Sequence, residues 1–340
     1  MNDFPALPYP WQQAVWQRLL QQHSDGRLPH ALMLAGPRGL GKRHLAQALG
    51  QYLLCHGPVG EAACGKCKSC QLNRAGTHPD FMQVSPEDTG KAIRVDDIRA
   101  LAEIQGKTAQ MSGYKVAIVC PADAMNNNAA NALLKTLEEP AAKTLLILVT
   151  DVPGSVLPTV RSRCQLLTLT LPAREQSLRW LTPLVSGTGI ESDELLDIAR
   201  GAPLAARDLL NGDALEERHQ WQADMAKLCL GQADALQIAS RWHTGDVATL
   251  FDWLISWLHL VACWRAGAAC VSIDKLDQPF RAQLAVLDTA LLQRYLEKLL
   301  TAKKLNLSGA NPNKQLLIEE LLLDWEALLR ASRAAAKRAG

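Results

Sequence analysis

Short, strongly apolar runs alternate with amphipathic stretches through the first half of the chain. "ALMLAG" (31–36), "DFMQV" (80–84), "KVAIVC" (115–120), "TLLILVT" (144–150) and "QLLTLTL" (165–171) have the length and aliphatic make-up of strands. Between them, "KRHLAQALGQYLL" (42–54), "VDDIRALAEIQ" (95–105) and "NNNAANALLKTLEEP" (126–140) predict helices. The second has Asp96 as its expected N-cap, with Ile98, Leu101 and Ala102 at helical spacing. The third is opened by asparagines and stopped at Pro140. Strands alternating with helices predict an α/β fold with a parallel sheet and right-handed crossovers. The stretch after the first strand then lies at a carboxyl end of the sheet, where a nucleotide would sit.

After Pro172 the strand pattern ends. Residues 173–211 read as short helices with a turn at "RGAP" (200–203). From about Ala214 to Ala336, Trp and Leu recur at three- and four-residue steps, which predicts core or a helix-packing face and not a cofactor box. The expected plan is an α/β domain over 1–168, a small helical domain over 169–211 and an all-α domain over 212–340.

Composition narrows this little. A chain of 340 residues suits two or three domains, and 48% hydrophobic residues can fill ordinary cores. A formal charge of +2 leaves nucleic-acid binding to be argued from local patches. Met1–Trp11 holds three prolines and no apolar core, so no signal peptide is expected. The most apolar span, Trp253–Trp264, has 12 residues including Ser256 and His259, short of the roughly 20 a membrane helix needs. A soluble, cytoplasmic chain is expected.

Cysteine usage changes the picture more. Of nine cysteines, Cys55, Cys64, Cys67 and Cys70 are clustered and the rest are scattered. In a long chain without a secretion signal, clustering favours a metal over disulfides. The spacing C-x8-C-x2-C-x2-C lets "CGKCKSC" chelate one ion from a single knuckle, with Cys55 as the fourth ligand from the end of the preceding helix. Four thiolates suit tetrahedral Zn²⁺ and leave no position for water, so the site is expected to be structural.

"GPRGLGKR" (36–43) is nearly a phosphate-binding loop. Gly36, Gly39, Gly41 and Lys42 supply the cradle and the phosphate-reaching amine. The next position needs a hydroxyl to ligate Mg²⁺, and it is Arg43, which cannot bind a metal. The acidic pair expected at the end of a neighbouring strand is also missing, because Cys120 and Pro121 stand there. Asp123, three residues beyond Cys120, reads as a surface or capping residue before it reads as a replacement. A third cluster, "TVRSRC" (159–164), reads on composition as solvated surface charge.

"NALLKTLEEP" (131–140), "TLLILVTD" and "RSRC", in that order, resemble the clamp-loader AAA+ subunits of bacterial DNA polymerase III. The cysteine module ahead of "AGTHPD" (75–80) resembles the same family, and "NPNKQLLIEELLL" (311–323) resembles the end of its C-terminal collar. The resemblance implies an AAA+ P-loop-type domain with a zinc module, a helical lid and a collar that holds a hetero-pentamer together. Its ATPase members, γ and τ, keep the loop hydroxyl, an Asp-Glu pair and a phosphate-sensing Arg. Arg43, Cys120 with Pro121, and Leu204 of "GAPL" occupy those places here, which implies the non-hydrolysing member. The resemblance further implies that Ser162, Arg163 and Cys164 offer an arginine finger in trans, with Arg163 entering the ATP site of an adjacent γ/τ subunit. The implied partners are γ/τ, the δ subunit, the sliding clamp and primer-template DNA, at the replisome. Two other readings use the same residues: an active NTPase working with Lys42, Arg43 and Asp123, and a zinc-knuckle DNA-binding protein gripping phosphate with Lys66 and Lys68.

Overall fold

The computed structural model describes residues 6–88, 91–111, 113–186, 189–211, 213–307 and 312–339. Met1–Pro5, and Asn311 at the head of the 311–323 motif, lie outside the described residues. The chain falls into two compact units, Met1–Gln176 and Ser177–Gly340.

In the first unit the order is α1 (Gln13–Ser24), β1 (Ala31–Ala35), α2 (Lys42–Leu54), α3 (Lys68–Ala75), β2 (Phe81–Val84), α4 (Val95–Gly106), β3 (Lys115–Val119), α5 (Asn127–Glu138), β4 (Thr144–Thr150), α6 (Pro158–Arg161) and β5 (Gln165–Thr168). The five strands form one parallel sheet in the order β2-β3-β4-β1-β5. Every residue of β1 and β3 is buried, as expected for strands covered on both faces. Because all strands run one way, Gly36, Cys120 and Asp151 emerge at the same edge, from the carboxyl ends of β1, β3 and β4. That shared edge brings the loop and its missing partners together.

Two helix starts show local chemistry at work. Asn126 caps α5, its Oδ1 accepting from the Ala129 N–H at 2.9 Å. The expected cap of α4 is displaced: Arg94 is the N-cap, in extended conformation, and Asp96 sits inside the first turn with Asp97. There both carboxylates sit at the positive end of the helix dipole, and the helix starts two residues earlier than expected, without a side-chain cap.

The second unit continues with α7 (Arg174–Val185), which begins just before the division, α8 (Ser192–Ile198), α9 (Pro203–Asp208), α10 (Ala214–Cys229), α11 (Ala235–Trp242), α12 (Val247–Arg265), α13 (Val271–Asp274), α14 (Gln278–Ala285), α15 (Thr289–Leu307) and α16 (Lys314–Ala339). No strand occurs among its described residues. A small core of Leu181, Leu195, Leu196, Ala206 and Leu209 joins the first short helices. The larger core is built from the Trp and Leu stripe, with Trp253, Trp257 and Trp325 buried at ring separations of 5.7 and 6.0 Å. Helix α12 is longer than the expected apolar span, and by length and composition alone it could cross a membrane. Its Val247, Leu250, Phe251, Leu254, Leu258 and Val261 are instead buried in this core, which accounts for its apolar character.

Asp224, 1% exposed, is a buried carboxylate at the large core's edge. It accepts from Arg241 at 2.9 Å and from the buried Trp242 Nε1 at 3.0 Å. Asp224→Ala is expected to cost about 1–3 kcal/mol in chemical denaturation, because it strands a buried indole N–H. An unchanged midpoint would show that water replaces the carboxylate.

Candidate functional site

The loop at the end of β1 depends on glycine for reasons of space. Gly36 has φ +143°, and a Cβ there would lie 2.3 Å from the Leu169 carbonyl oxygen. Gly41 has φ +79°, and its Cβ would strike the Tyr9 ring at 2.7 Å. The N-terminal segment closes this side of the loop. Trp11 Nε1 and Gln12 Nε2 donate to Leu40 O at 3.0 and 2.8 Å, and Tyr9 stacks on Trp11 and meets His44 at a tilt. Gly39, at φ +82°, completes the turn.

Lys42 is 5% exposed, and its ammonium is fully occupied by the chain itself. It donates to Gly36 O and Pro37 O, both at 2.7 Å, and pairs with Asp151 Oδ1 at 2.6 Å. An ammonium has three N–H groups, so none is left for a phosphate without breaking one of these. Asp151, one residue past β4, is the group that sequence reasoning did not single out. Its only signal was an acid at the end of the strand beside β1.

Arg43 and Cys120, which stand where the loop pattern expects groups for Mg²⁺, both make contacts within the chain. Arg43 directs Nη2 and Nε toward the Gln83 amide at 2.6 and 3.0 Å, with that amide's oxygen turned toward the guanidinium. Burial pushes the Cys120 thiol above its usual range, with Arg43 and Lys42 pulling the other way, so it stays protonated at neutral pH. Asp123 spends Oδ1 on the Thr150 hydroxyl at 2.6 Å, fastening the end of β4. Asp123 caps no helix; its carboxylate is held by the end of β4.

Arg163 lies on the short connection between α6 and the edge strand β5. Its Nη2 pairs with Glu138 Oε1 at 2.7 Å, and its Nη1 donates to Thr159 O at 2.9 Å. The side chain remains 37% exposed, and the fork keeps N–H groups for an outside acceptor. A surface pair of this kind contributes only about 0–1 kcal/mol, so it orients the guanidinium without locking it. Ser162 Oγ donates to Thr159 O at 3.2 Å, closing the same turn. Burial pushes the Cys164 thiol up to about 12, and the side chain packs on the core under the sheet, so it acts as a small hydrophobe. Arg161, on the same turn, is exposed and reaches Pro153 O at 3.3 Å.

The four cysteines converge. All four Sγ atoms lie within 4.8 Å of one another, with Cys55–Cys67 at 4.0 Å and Cys64–Cys70 at 3.9 Å. Tetrahedral zinc with Zn–S near 2.3 Å needs sulfur separations of about 3.8 Å, so the cage fits. Backbone N–H groups of Cys64, Cys67 and Cys70 point at the sulfurs of Cys55, Cys64 and Cys67, at 3.2, 3.4 and 3.4 Å. N–H groups of Lys66 and Cys67 push the Cys64 thiol down to about 6, favouring thiolate. Cys67 also caps α3, a helix in a stretch that the spacing presented only as a turn. Behind the cage, Ser69 Oγ donates to Leu54 O and contacts His78 Nε2 at 2.8 Å, tying α3 to the end of α2.

Residues 11–172 match a family model described as DNA polymerase III, delta subunit, and residues 212–327 one described as DNA polymerase III, delta subunit, C terminal. The DNA polymerase III subunit delta′ of Pseudomonas aeruginosa is 39% identical over 333 residues, covering 94% of this chain and 98% of its own. That of Escherichia coli is 35% identical over 330 residues, covering 95% and 96%. A solved structure of a DNA polymerase III gamma subunit-related protein from Thermotoga maritima aligns over 94% of this chain and 100% of its own, at 16% identity and a TM-score of 0.45.

Proposed function

The chain belongs to the DNA polymerase III delta′ family, and from that premise we propose that it is the non-hydrolysing stator of the clamp loader, serving a neighbour's ATP site with Arg163. Membership makes it a component of that complex and a partner of other clamp-loader subunits. The observation that carries the silent half of the reading is Lys42, whose three N–H groups are spent on Gly36 O, Pro37 O and Asp151. Arg43 and the neutral Cys120 leave Mg²⁺ without ligands, so the loop serves the fold, not hydrolysis.

Arg163 supports the other half. It is always charged, partly exposed and oriented by Glu138 and Thr159 O, and its fork can bind γ-phosphate oxygens bidentately and neutralise transition-state charge. Ser162 and Cys164 shape its turn. Under this reading 1–168 is the AAA+ domain, 169–211 the lid and 212–340 the collar. Its partners are γ/τ, δ, the sliding clamp and primer-template DNA in the cytoplasm. The cysteine cage holds one structural Zn²⁺, which would cross-link the end of α2 to α3.

The isolated chain is expected to show no ATP hydrolysis above background. Arg43→Thr is expected to stay silent too, because no acid replaces Cys120 or Pro121 and Lys42 remains engaged by Asp151. Robust, protein-dependent turnover by either chain would return the site to the active-NTPase reading.

A further inference from the structure

Helix α5 ends on two acids, Glu138 as its last residue and Glu139 as its C-cap. The negative end of the helix dipole favours a basic residue, which Lys135 supplies in the same turn, and disfavours carboxylates. Neither acid belongs to the core, since both are exposed and the last turn buries Leu137 instead. They differ in one respect. Glu138 Oε1 pairs with Arg163 Nη2 at 2.7 Å, while Glu139 has no ion-pair partner among the described residues. An exposed pair adds little stability, and here the dipole works against its acid, so folding energy does not account for the contact.

The platform under Glu138 is firm. Asn126 caps the start of α5, and Leu137 O in the last turn accepts from His30 Nε2 at 3.1 Å, just ahead of β1. Leu133 and Leu137 are buried on the inner face of the helix. The second hold on the guanidinium comes from another helix. Thr159 O, in α6, accepts from Arg163 Nη1 at 2.9 Å, with Ser162 Oγ at 3.5 Å from the same nitrogen. The planar fork therefore bridges the end of α5 to α6 through its two Nη groups, and neither hold uses Nε.

Arginine is rich in rotamers, and ordering it costs free energy when it must meet a phosphate in one geometry. Two holds from two packed helices meet that cost before the phosphate arrives. We infer that Glu138 is the positioning residue of the finger: its charge, fixed at the end of α5, aims Arg163 by the spacing between α5 and α6. The inference rests on the in-trans reading of Arg163 and adds a second residue to it, one that acts through Arg163 and not on the phosphate. A carboxylate beside a finger could instead be a brake that competes with phosphate for the guanidinium. The two roles predict opposite signs when the carboxylate is removed.

The test follows the reconstituted loader by rapid quench, with the served site defined as the hydrolysis phase that Arg163→Ala removes. Glu138→Ala in this chain should slow that phase about 2- to 12-fold, the cost of ordering one rotamer-rich side chain. Its amplitude and the half-saturating ATP concentration should not change. Glu138→Asp keeps the charge on a shorter stem and should recover part of the rate. Glu139→Ala removes an acid from the same helix end, away from Arg163, and should leave the phase as in the wild type. In a chain already carrying Arg163→Ala, Glu138→Ala should add no further loss. Equal thermal midpoints of the isolated chains, and equal assembly by gel filtration, separate positioning from support of the fold. A phase unchanged or faster with Glu138→Ala, no recovery with Glu138→Asp, or an equal loss with Glu139→Ala would overturn the inference and leave the finger standing. An Arg163→Ala loader that keeps every phase would fail the finger reading itself, and this inference with it.

Discussion

Replacing Arg163 by alanine in the assembled loader is expected to slow one ATP site by roughly 10³–10⁵-fold while this chain stays folded. The guanidinium touches its own chain through Glu138, Thr159 O and, at 3.5 Å, Ser162 Oγ, all at the surface, so its loss costs little stability. Under the proposed in-trans role the loss should appear in a neighbour's chemistry, while this chain's own loop keeps its Lys42–Asp151 pair. Total turnover then depends on coupling: independent sites lose one share, and coupled sites lose far more. Arg163→Lys should rescue poorly, since an ammonium is a point charge without the bidentate fork. Arg161→Ala is the internal control, because Arg161 sits on the same turn with only a long contact to Pro153 O. DNA- and clamp-stimulated hydrolysis, with assembly checked by gel filtration, reads all three variants. Equal losses for Arg161→Ala and Arg163→Ala would reduce the loop to general surface charge.

Chelating the proposed zinc, or replacing Cys67 by Ser, is expected to unfold the cysteine module locally. Apparent zinc-binding free energies in small zinc domains run to about 10–16 kcal/mol, and that energy is folding energy. Here Ser69 and His78 brace the module from behind, so part of the structure has support apart from the metal. Hydrogen exchange across 55–78 should still accelerate by roughly 10³-fold or more, about 4 kcal/mol of local stability. Exchange in α12, α15 and α16 should not change. Elemental analysis of protein purified without chelator should find one zinc per chain, and a value near zero would remove the metal from the account.

Much of this was readable from the chain because its signals are local. The apolar runs at 31–36, 115–120 and 144–150 became β1, β3 and β4, since strands buried on both faces are apolar throughout. The cysteine spacing found its cage because a knuckle's ligands are near neighbours. Helix α1 went unread: it buries only Trp16 and Leu19 amid glutamines, and such a narrow stripe gives a weak period. Helix α3 was hidden by its polar sequence, since Ser69 and Cys70 are the residues it buries. The partners that decide the site's chemistry were the least legible. Asp151 meets Lys42, and Glu138 meets Arg163, only because the parallel sheet and its crossovers gather ends that are distant along the chain. Nothing in the spacing of either pair announces the contact.

The central claim is that this chain is silent at its own loop and acts at its neighbour's. Rapid-quench measurement of the ATP hydrolysed in the first turnover of the reconstituted loader, counted per complex, tests it most directly. The account predicts one fewer ATP per complex with Arg163→Ala, and an unchanged count when this chain alone carries Lys42→Ala. An unchanged count with Arg163→Ala, or one ATP lost with Lys42→Ala in a correctly assembled complex, would contradict it.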